Sequence, residues 1–300
     1  MKKIIVLGGG WSKEREVSLN SMEQIYNTLK TFHANTEKKD IKDGSSLVEL
    51  LEEVEKNTLV FPCLHGKGGG EDGSVQAFLD LHEIRYVGSG PKASSLSLDK
   101  IKTKKLLAEK KIPVLPHEIY SAEKMPHFKN FGNRLIVKPI NEGSSIETHL
   151  IDTQQKWKTL ELKEECFVEP YVSGRELTVG IVEEKGIQIT LGAVEVVPKN
   201  SNFYNYKSKY TSGETEYIEK PKNINKTIIR NLKKYALIAH DSLGCRSFSR
   251  SDFIVDDERI WYLETNTIPG MTKLSLLPLS AKAEGINLKK FLMMIVGSYE

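Results

Sequence analysis

Near the C-terminal end of the chain, Asp252, Glu264 and Asn266 stand close together, with Arg250 two residues before the first of them. Residues 250–255 and 260–266 carry the apolar content of strands, and Asp256-Asp257-Glu258-Arg259 between them reads as a turn. Side chains alternate along a strand, so Tyr262, Glu264 and Asn266 are expected on one face. If Asp256 pairs with Ile260 around a three-residue loop, Asp252 lies opposite Glu264 and Arg250 opposite Asn266. Facing carboxylates repel unless a cation neutralises them. Two carboxylates and an amide oxygen are hard ligands, suited to Mg²⁺ held together with phosphates. A surface hairpin with scattered charges is the alternative, and a register shifted by one residue would remove the argument.

Two loops add to this. A strand delivers Lys138 into Pro139-Ile140-Asn141-Glu142-Gly143-Ser144-Ser145, whose small residues present hydroxyls and backbone N–H groups. Such loops fold over phosphates, although a plain turn has the same composition. His65-Gly66-Lys67-Gly68-Gly69-Gly70-Glu71-Asp72-Gly73 follows another strand, and ligands of open α/β sheets bind at strand carboxyl ends. A flexible surface loop is the other reading there. Familiar motifs fail. Gly8 and Gly10 are followed by Trp11-Ser12-Lys13 with no third glycine, and the run 68–73 is followed by Ser74 where a Walker A loop needs Lys. His82-Glu83 and His117-Glu118 lack a second histidine, and there is no GxSxG. Ordinary dehydrogenase, P-loop, zinc-protease and α/β-hydrolase chemistry lose their main support.

The elements that position these residues read as alternating strand and helix. Strands are expected at 3–7, 58–64 and 85–87, with helices at 18–30 and 46–55 between them, which implies a parallel sheet. Residues 98–111 form a helix with lysines at 100, 102, 104, 105, 110 and 111, a run that reads as a solvated face. Further strands are expected at 134–138, 166–169 and 177–182, and an amphipathic helix at 225–243. The polar stretch 197–223 has no clear period, and such loops are usually functional. The 300 residues suggest roughly two domains on a prior of ~150 residues each. No apolar run approaches the ~20 residues of a membrane helix, and the apolar run after Met1-Lys2-Lys3 is too short for a signal peptide. Cys63, Cys166 and Cys245 lie far apart and read as reduced thiols of a cytoplasmic protein. With 43 basic against 40 acidic residues, the net charge of +3 argues against a dedicated nucleic-acid or membrane surface.

Taken in order, the motifs form a recognisable series. They are residues 9–18 (Gly9-Gly10-Trp11-Ser12-Lys13-Glu14 onward), the loop 65–73, Gly88-Ser89-Gly90, Leu98-Asp99-Lys100, Lys138-Pro139 and Glu142-Gly143-Ser144-Ser145. Glu169, Gly174-Arg175-Glu176, Lys209-Tyr210-Thr211, Arg250, Asp252 and the run from Glu264 to Ser275 complete it. The chain resembles the D-alanine–D-alanine ligase family of the ATP-grasp superfamily over nearly its whole length. The resemblance implies an α/β ATP-grasp fold. An N-terminal open α/β (pre-ATP-grasp) substrate domain would span 1–95, with two ATP-grasp subdomains at 96–173 and 174–300, the latter carrying metal and substrate sites.

It also implies roles. Lys100, Lys138 and Ser145 would hold ATP phosphates; Glu169, Pro170 and Val172 the adenine; and Glu176 the ribose. Asp252, Glu264 and Asn266 would bind two Mg²⁺ ions, with Mn²⁺ as a substitute. Glu14 would bind the first D-alanine's ammonium in a triad with Ser144 and Tyr210. His65 would lie beside the substrates. Arg250 and the N–H near Gly270 would stabilise an oxyanion, and Lys209 and Ser275 would hold the second D-alanine's carboxylate. The implied product is D-alanyl-D-alanine, formed through an acyl phosphate for peptidoglycan precursor synthesis. The implied protein is a cytoplasmic homodimer with small-molecule partners, and 197–223 is its candidate lid. Lys209-Tyr210 matches the dipeptide-forming type, where related D-lactate ligases carry a histidine; a ligase for D-lactate, D-serine or another amino acid is the alternative. Three departures stand out: an extra glycine before Glu71, Glu147 where the family has glycine, and Pro170 where it commonly has lysine.

Overall fold

The structure, a computed structural model, describes residues 3–143, 147–199, 214–257 and 259–300. Strands β1 (Lys3–Gly9), β2 (Thr36–Ile41), β3 (Thr58–Pro62) and β4 (Arg85–Tyr86) form a parallel sheet in the order β2-β1-β3-β4. β1 is buried along its whole length, as expected of a strand covered on both faces. Helix α1 (Arg15–Lys30) packs Met22, Ile25 and Leu29 onto this sheet at helical spacing, and it begins three residues earlier than its apolar periodicity suggests. Helices α2 (Gly44–Glu49), extended by a 3₁₀ turn over Leu50–Glu52, and α3 (Ser74–Leu81) complete the first layer.

A separate helix, α4 (Pro91–Leu98), precedes the lysine-rich one, α5 (Lys100–Glu109), which is shorter than the expected 98–111. Asp99 takes an extended conformation between them, and its side chain accepts from the Lys102 N–H at 2.9 Å. That cap breaks a pattern otherwise continuous in helix formers and sets Lys100 at the first position of α5. Lys102, Lys105, Lys110 and Lys111 are exposed, but Lys100 and Lys104 are buried, so the run is not simply a solvated face.

A second, antiparallel sheet contains β5 (Glu118–Ile119), β6 (Leu135–Pro139), β7 (His149–Ile151) and β8 (Cys166–Pro170), in the order β5-β8-β6-β7, with α6 (Gln154–Lys158) beside it. The third, in the order β11-β10-β9-β12-β13, contains β9 (Arg175–Glu184), β10 (Ile187–Pro198), β11 (Thr215–Ile218), β12 (Phe248–Asp256) and β13 (Arg259–Asn266). One of its faces packs on α7 (Lys226–Leu243), whose Leu232, Ala236 and Ala239 are fully buried. The other packs on α8 (Leu276–Ala283) and α9 (Leu288–Gly297). One apolar cluster runs from Ile4, Val6 and Ile25 through Leu277 to Phe291, Leu292 and Ile295. It joins the first sheet to the C-terminal helices and brings their loops to one cleft. Among the described residues, no helix is long and apolar enough to cross a membrane.

Candidate functional site

The hairpin β12–β13 places Asp252 opposite Glu264 and Arg250 opposite Asn266, reached by a different turn from the expected one. Asp256 pairs with Arg259 and Phe253 with Tyr262, so the turn is one residue tighter. Leu263 then stands as an extra residue where the register shifts, and the two offsets cancel. The bulge also reverses the side-chain parity. Tyr262 joins Phe253 in the core under α7, ring centroids 5.8 Å apart, and does not share a face with Glu264.

The facing carboxylates are neutralised by side chains. Asp252 accepts from Arg250 Nε at 3.0 Å and Nη2 at 2.8 Å, and from Thr178 Oγ1 at 2.6 Å. Glu264 Oε2 lies 3.6 Å from Lys100 Nζ. Among the described residues, no three His, Cys, Asp or Glu side chains converge as a metal cluster, and the neighbouring oxygen beside Asp252 and Glu264 is that of the Asn266 amide. The Asn266 Nδ2 is buried with no hydrogen-bond partner among the described residues, and a flip of the amide would present its oxygen instead. This donor set fits a hard divalent cation.

Lys100 and Lys138 approach the same cleft from α5 and β6. The Lys100 N–H donates to the Ile140 carbonyl at 3.2 Å, and its Nζ donates to the Glu142 carbonyl. Lys138 Nζ lies 2.6 Å from Glu169 Oε1, and Lys104 Nζ lies 2.8 Å from Oε2 of the same carboxylate. Burial would push the Glu169 carboxyl up, but Lys104 and Lys138 outweigh it and hold it at about 2. Burial lowers Lys104; on Lys138 the same effect is overcome by Glu169, which raises it. Partial burial also raises Glu142. Lys104 escaped notice inside the lysine run, although its spacing of four from Lys100 puts both on one helix face. Glu176 is half-buried on β9, opposite Val196 and Ile254. Pro170 closes β8 opposite Leu135, with Val172 two residues on.

The N-terminal loops close the cleft from the opposite side. Glu14, 3% exposed, precedes α1; its N–H donates to Ser12 Oγ, which in turn donates to the His65 carbonyl at 2.6 Å. A Cβ placed on Gly143 would lie 3.2 Å from carboxylate oxygens of both Glu14 and Glu71, so the Lys138 loop and both N-terminal loops meet there. His65 is buried, with Nδ1 donating to the Ile268 carbonyl at 2.9 Å and Nε2 3.2 Å from Ser21 Oγ. Ser21 Oγ also accepts from the Met271 N–H at 3.2 Å. Burial alone would lower the His65 pKa, but Glu71 at 3.4 Å, and then Glu14, raise it above the ordinary value. Gly270 packs against Ser275, where an added Cβ would stand 2.8 Å from Oγ. Ser275 itself accepts from the Thr272 N–H at 2.9 Å and precedes α8.

Ser144, Ser145, Lys209 and Tyr210 lie outside the described residues. The stretch 197–223 is not structureless at its ends: β10 runs through Pro198, β11 covers Thr215–Ile218, and the Lys199 N–H donates to the Glu214 carbonyl at 2.9 Å.

Two of the departures find partners. Glu147 adopts a left-handed backbone, φ 52°, of the kind glycine takes most readily, and its carboxylate meets Lys13 at 3.2 Å. In the enlarged glycine loop, Gly69 has no room for a Cβ, which would stand 2.2 Å from the His65 carbonyl oxygen, and Lys67 pairs with Glu164 at 3.1 Å. Both pairs join the N-terminal loops to the second sheet. Glu71, absent from the sequence-based site, lines the cleft with Lys100, Gly143, Glu264 and Asn266.

Residues 106–297 match the family described as D-ala D-ala ligase C-terminus. A relative named D-alanine–D-alanine ligase, from Zymomonas mobilis subsp. mobilis, is 38% identical over 311 residues, covering 98% of this chain and 93% of its own. The fold is similar to D-alanyl-alanine synthetase A from Vibrio cholerae, with a TM-score of 0.83, 26% identity, and coverage of 100% of this chain and 99% of that one. It is also similar to a D-alanine–D-alanine ligase from Bacillus anthracis complexed with ATP, with a TM-score of 0.79, 27% identity, and coverage of 99% and 96%.

Proposed function

The chain belongs to the D-alanine–D-alanine ligase family, and from that premise we propose how its residues join two D-alanines into D-alanyl-D-alanine with ATP as the second substrate. The observation that carries the proposal is the cleft itself. Lys100, Glu264, Asn266, Gly143 and Glu71 line it together, and Glu14 reaches it beside Gly143.

Lys100 and Lys138, with Ser145, hold the phosphates; Glu169, Pro170 and Val172 hold the adenine, and Glu176 the ribose. Proline at 170 keeps the backbone carbonyl that adenine recognition needs and gives up a cationic side chain. Asp252, Glu264 and Asn266 would hold two Mg²⁺ ions, with Mn²⁺ as a substitute. When bound, these ions supply neutralisation of phosphate charge. Glu14, completed by Ser144 and Tyr210, binds the ammonium of the first D-alanine and aims its carboxylate at the γ-phosphorus. Attack there gives an acyl phosphate and ADP, by positioning and charge neutralisation rather than by a protein nucleophile. Lys209 and Ser275 hold the second D-alanine by its carboxylate, His65 stands beside it, and its neutral amine attacks the acyl carbon. Arg250 and the N–H near Gly270 stabilise the oxyanion. A guanidinium carries five N–H donors, so holding Asp252 does not exhaust Arg250. Phosphate then leaves.

The same proposal divides the chain at 1–95, 96–173 and 174–300 and takes the enzyme to be a cytoplasmic homodimer serving peptidoglycan precursor synthesis. The test is phosphate release from ATP and Mg²⁺ with D-alanine, L-alanine, D-serine, D-lactate or no acceptor, with products weighed by mass spectrometry. Turnover confined to D-alanine, with the dipeptide as product, is expected. ATP binding without D-alanine-dependent turnover would sink the proposal.

A further inference from the structure

Lys104 is 1% exposed and sits one helical turn behind Lys100 on α5. It shares the Glu169 carboxylate with Lys138, at 2.8 Å from one oxygen while Lys138 is 2.6 Å from the other. Two ammonium groups share one carboxylate, one more than is needed to neutralise it, so either lysine alone could balance Glu169. The two cations are not equivalent. Lys104 is sealed, its Nζ 5.9 Å from the Phe167 ring centroid, whereas the Lys138 side chain is 19% exposed. The other charged groups facing them are Lys100, Glu264 and Glu176.

We infer that Lys104 is a positioning residue for the nucleotide: it neutralises Glu169 within the fold, so that the charge of Lys138 is left for a phosphate. Without Lys104, Lys138 and Glu169 would make a closed, neutral pair in a low-dielectric setting, where such a pair is strong. A phosphate would then have to compete with Glu169 for Lys138. The inference rests on the proposed roles of Lys138 and Glu169. It goes beyond them in giving a residue that never touches nucleotide control over how tightly phosphate is held.

The experiment is calorimetric binding of ATP, ADP and adenosine, with Mg²⁺ throughout, to the full chain and its variants. Lys104→Met is expected to weaken ATP and ADP by about tenfold or more, an ordinary size for losing one charge interaction, and to leave adenosine within twofold. Lys104→Arg, which keeps the charge, should retain the wild-type ratio of ATP to adenosine affinity. The double variant K104M/E169Q removes the carboxylate that Lys104 neutralises, and its ratio should return to within about threefold of wild type. Equal loss of ATP and adenosine in Lys104→Met would overturn the inference, because Lys104 would then only hold the adenine hinge. Should that variant not fold, a ratio that stays depressed in K104M/E169Q overturns it independently. If Lys138→Met leaves the wild-type ratio unchanged, the assignment of Lys138 to phosphate fails, and the inference fails with it.

Discussion

The molecule answers the same electrostatic problem in two ways, at Glu169 on β8 and at Glu264 on β13. At β8, Glu169 is 1% exposed and gripped by two lysines within 2.8 Å. At β13, Glu264 has a side chain 21% exposed, with Lys100 at 3.6 Å and, beside it, the Asn266 amide, whose Nδ2 has no hydrogen-bond partner among the described residues. Closed ion pairs deep in a protein are strong and slow to exchange; looser ones at a cleft give up a partner at little cost. Under the proposed function, the sealed cluster shapes the adenine side of the cleft and the open cluster is where charges trade protein partners for ligands.

The contrast breaks most visibly if both clusters respond alike to neutralisation. Glu264→Gln is expected to lower kcat by about 10²–10³-fold, the usual effect of removing one electrostatic stabiliser, with the unfolding midpoint almost unmoved. Glu169→Gln should do the reverse in emphasis: it leaves the buried Lys104 ammonium without its carboxylate, takes one partner from the partly exposed Lys138, and costs about 3–5 kcal/mol in denaturant unfolding. A stability change under 1 kcal/mol there would show that Glu169 is not a sealed ion-pair centre.

Acid sharpens the point. The Glu169 carboxyl is lowered from 4.5 to about 2 in the fold, so its contribution is complete above 4.5 and disappears as pH falls towards 2. Wild type should lose stability across that window more steeply than Glu169→Gln. His65 has the opposite sign: its folded pKa is raised above 6.5, so its contribution is full below 6.5 and is lost as pH rises through the raised value. A His65→Gln variant should lack that alkaline loss in thermal unfolding. The smallest effect is expected at the exposed Lys13–Glu147 pair. Lys13→Ala should change stability by under about 1 kcal/mol by the same measurement, because solvent screens such pairs.

How much of this could be read beforehand depended on the kind of signal. Three strands of the parallel N-terminal sheet were legible because their apolar runs alternate with amphipathic helices; β2 was missed because Thr36-Glu37-Lys38-Lys39-Asp40-Ile41 is a polar edge strand buried only at its ends. The Asp252–Glu264 pairing was reached from an expected three-residue loop, and it holds only because the tighter turn and the bulge at Leu263, neither of them legible, offset each other. β10 was missed altogether, although Ile187, Ile189 and Leu191 alternate with Gln188, Thr190 and Gly192 as a strand requires; the alternation breaks where the register shifts between Thr190 and Ala193. Lys104 was hidden by its neighbours, because lysines on opposite faces of a helix look alike in a one-dimensional run. The anchoring of His65 had no signal at all: its partner is a backbone carbonyl 203 residues away.

Lys13 and Glu147, 134 residues apart, belong to segments that could be exchanged separately between relatives. A chimaera that takes the Glu147 loop from this chain and the N-terminal loop from a relative without Lys13 would set an unopposed carboxylate, on a left-handed backbone, next to the phosphate loop. The reciprocal exchange would leave only an idle surface lysine. The pair contributes little to folding in either order, so any direction in acquiring it is set at the ligand: the lysine is harmless in either background, whereas the glutamate without it adds a negative charge beside the loop proposed to hold phosphate.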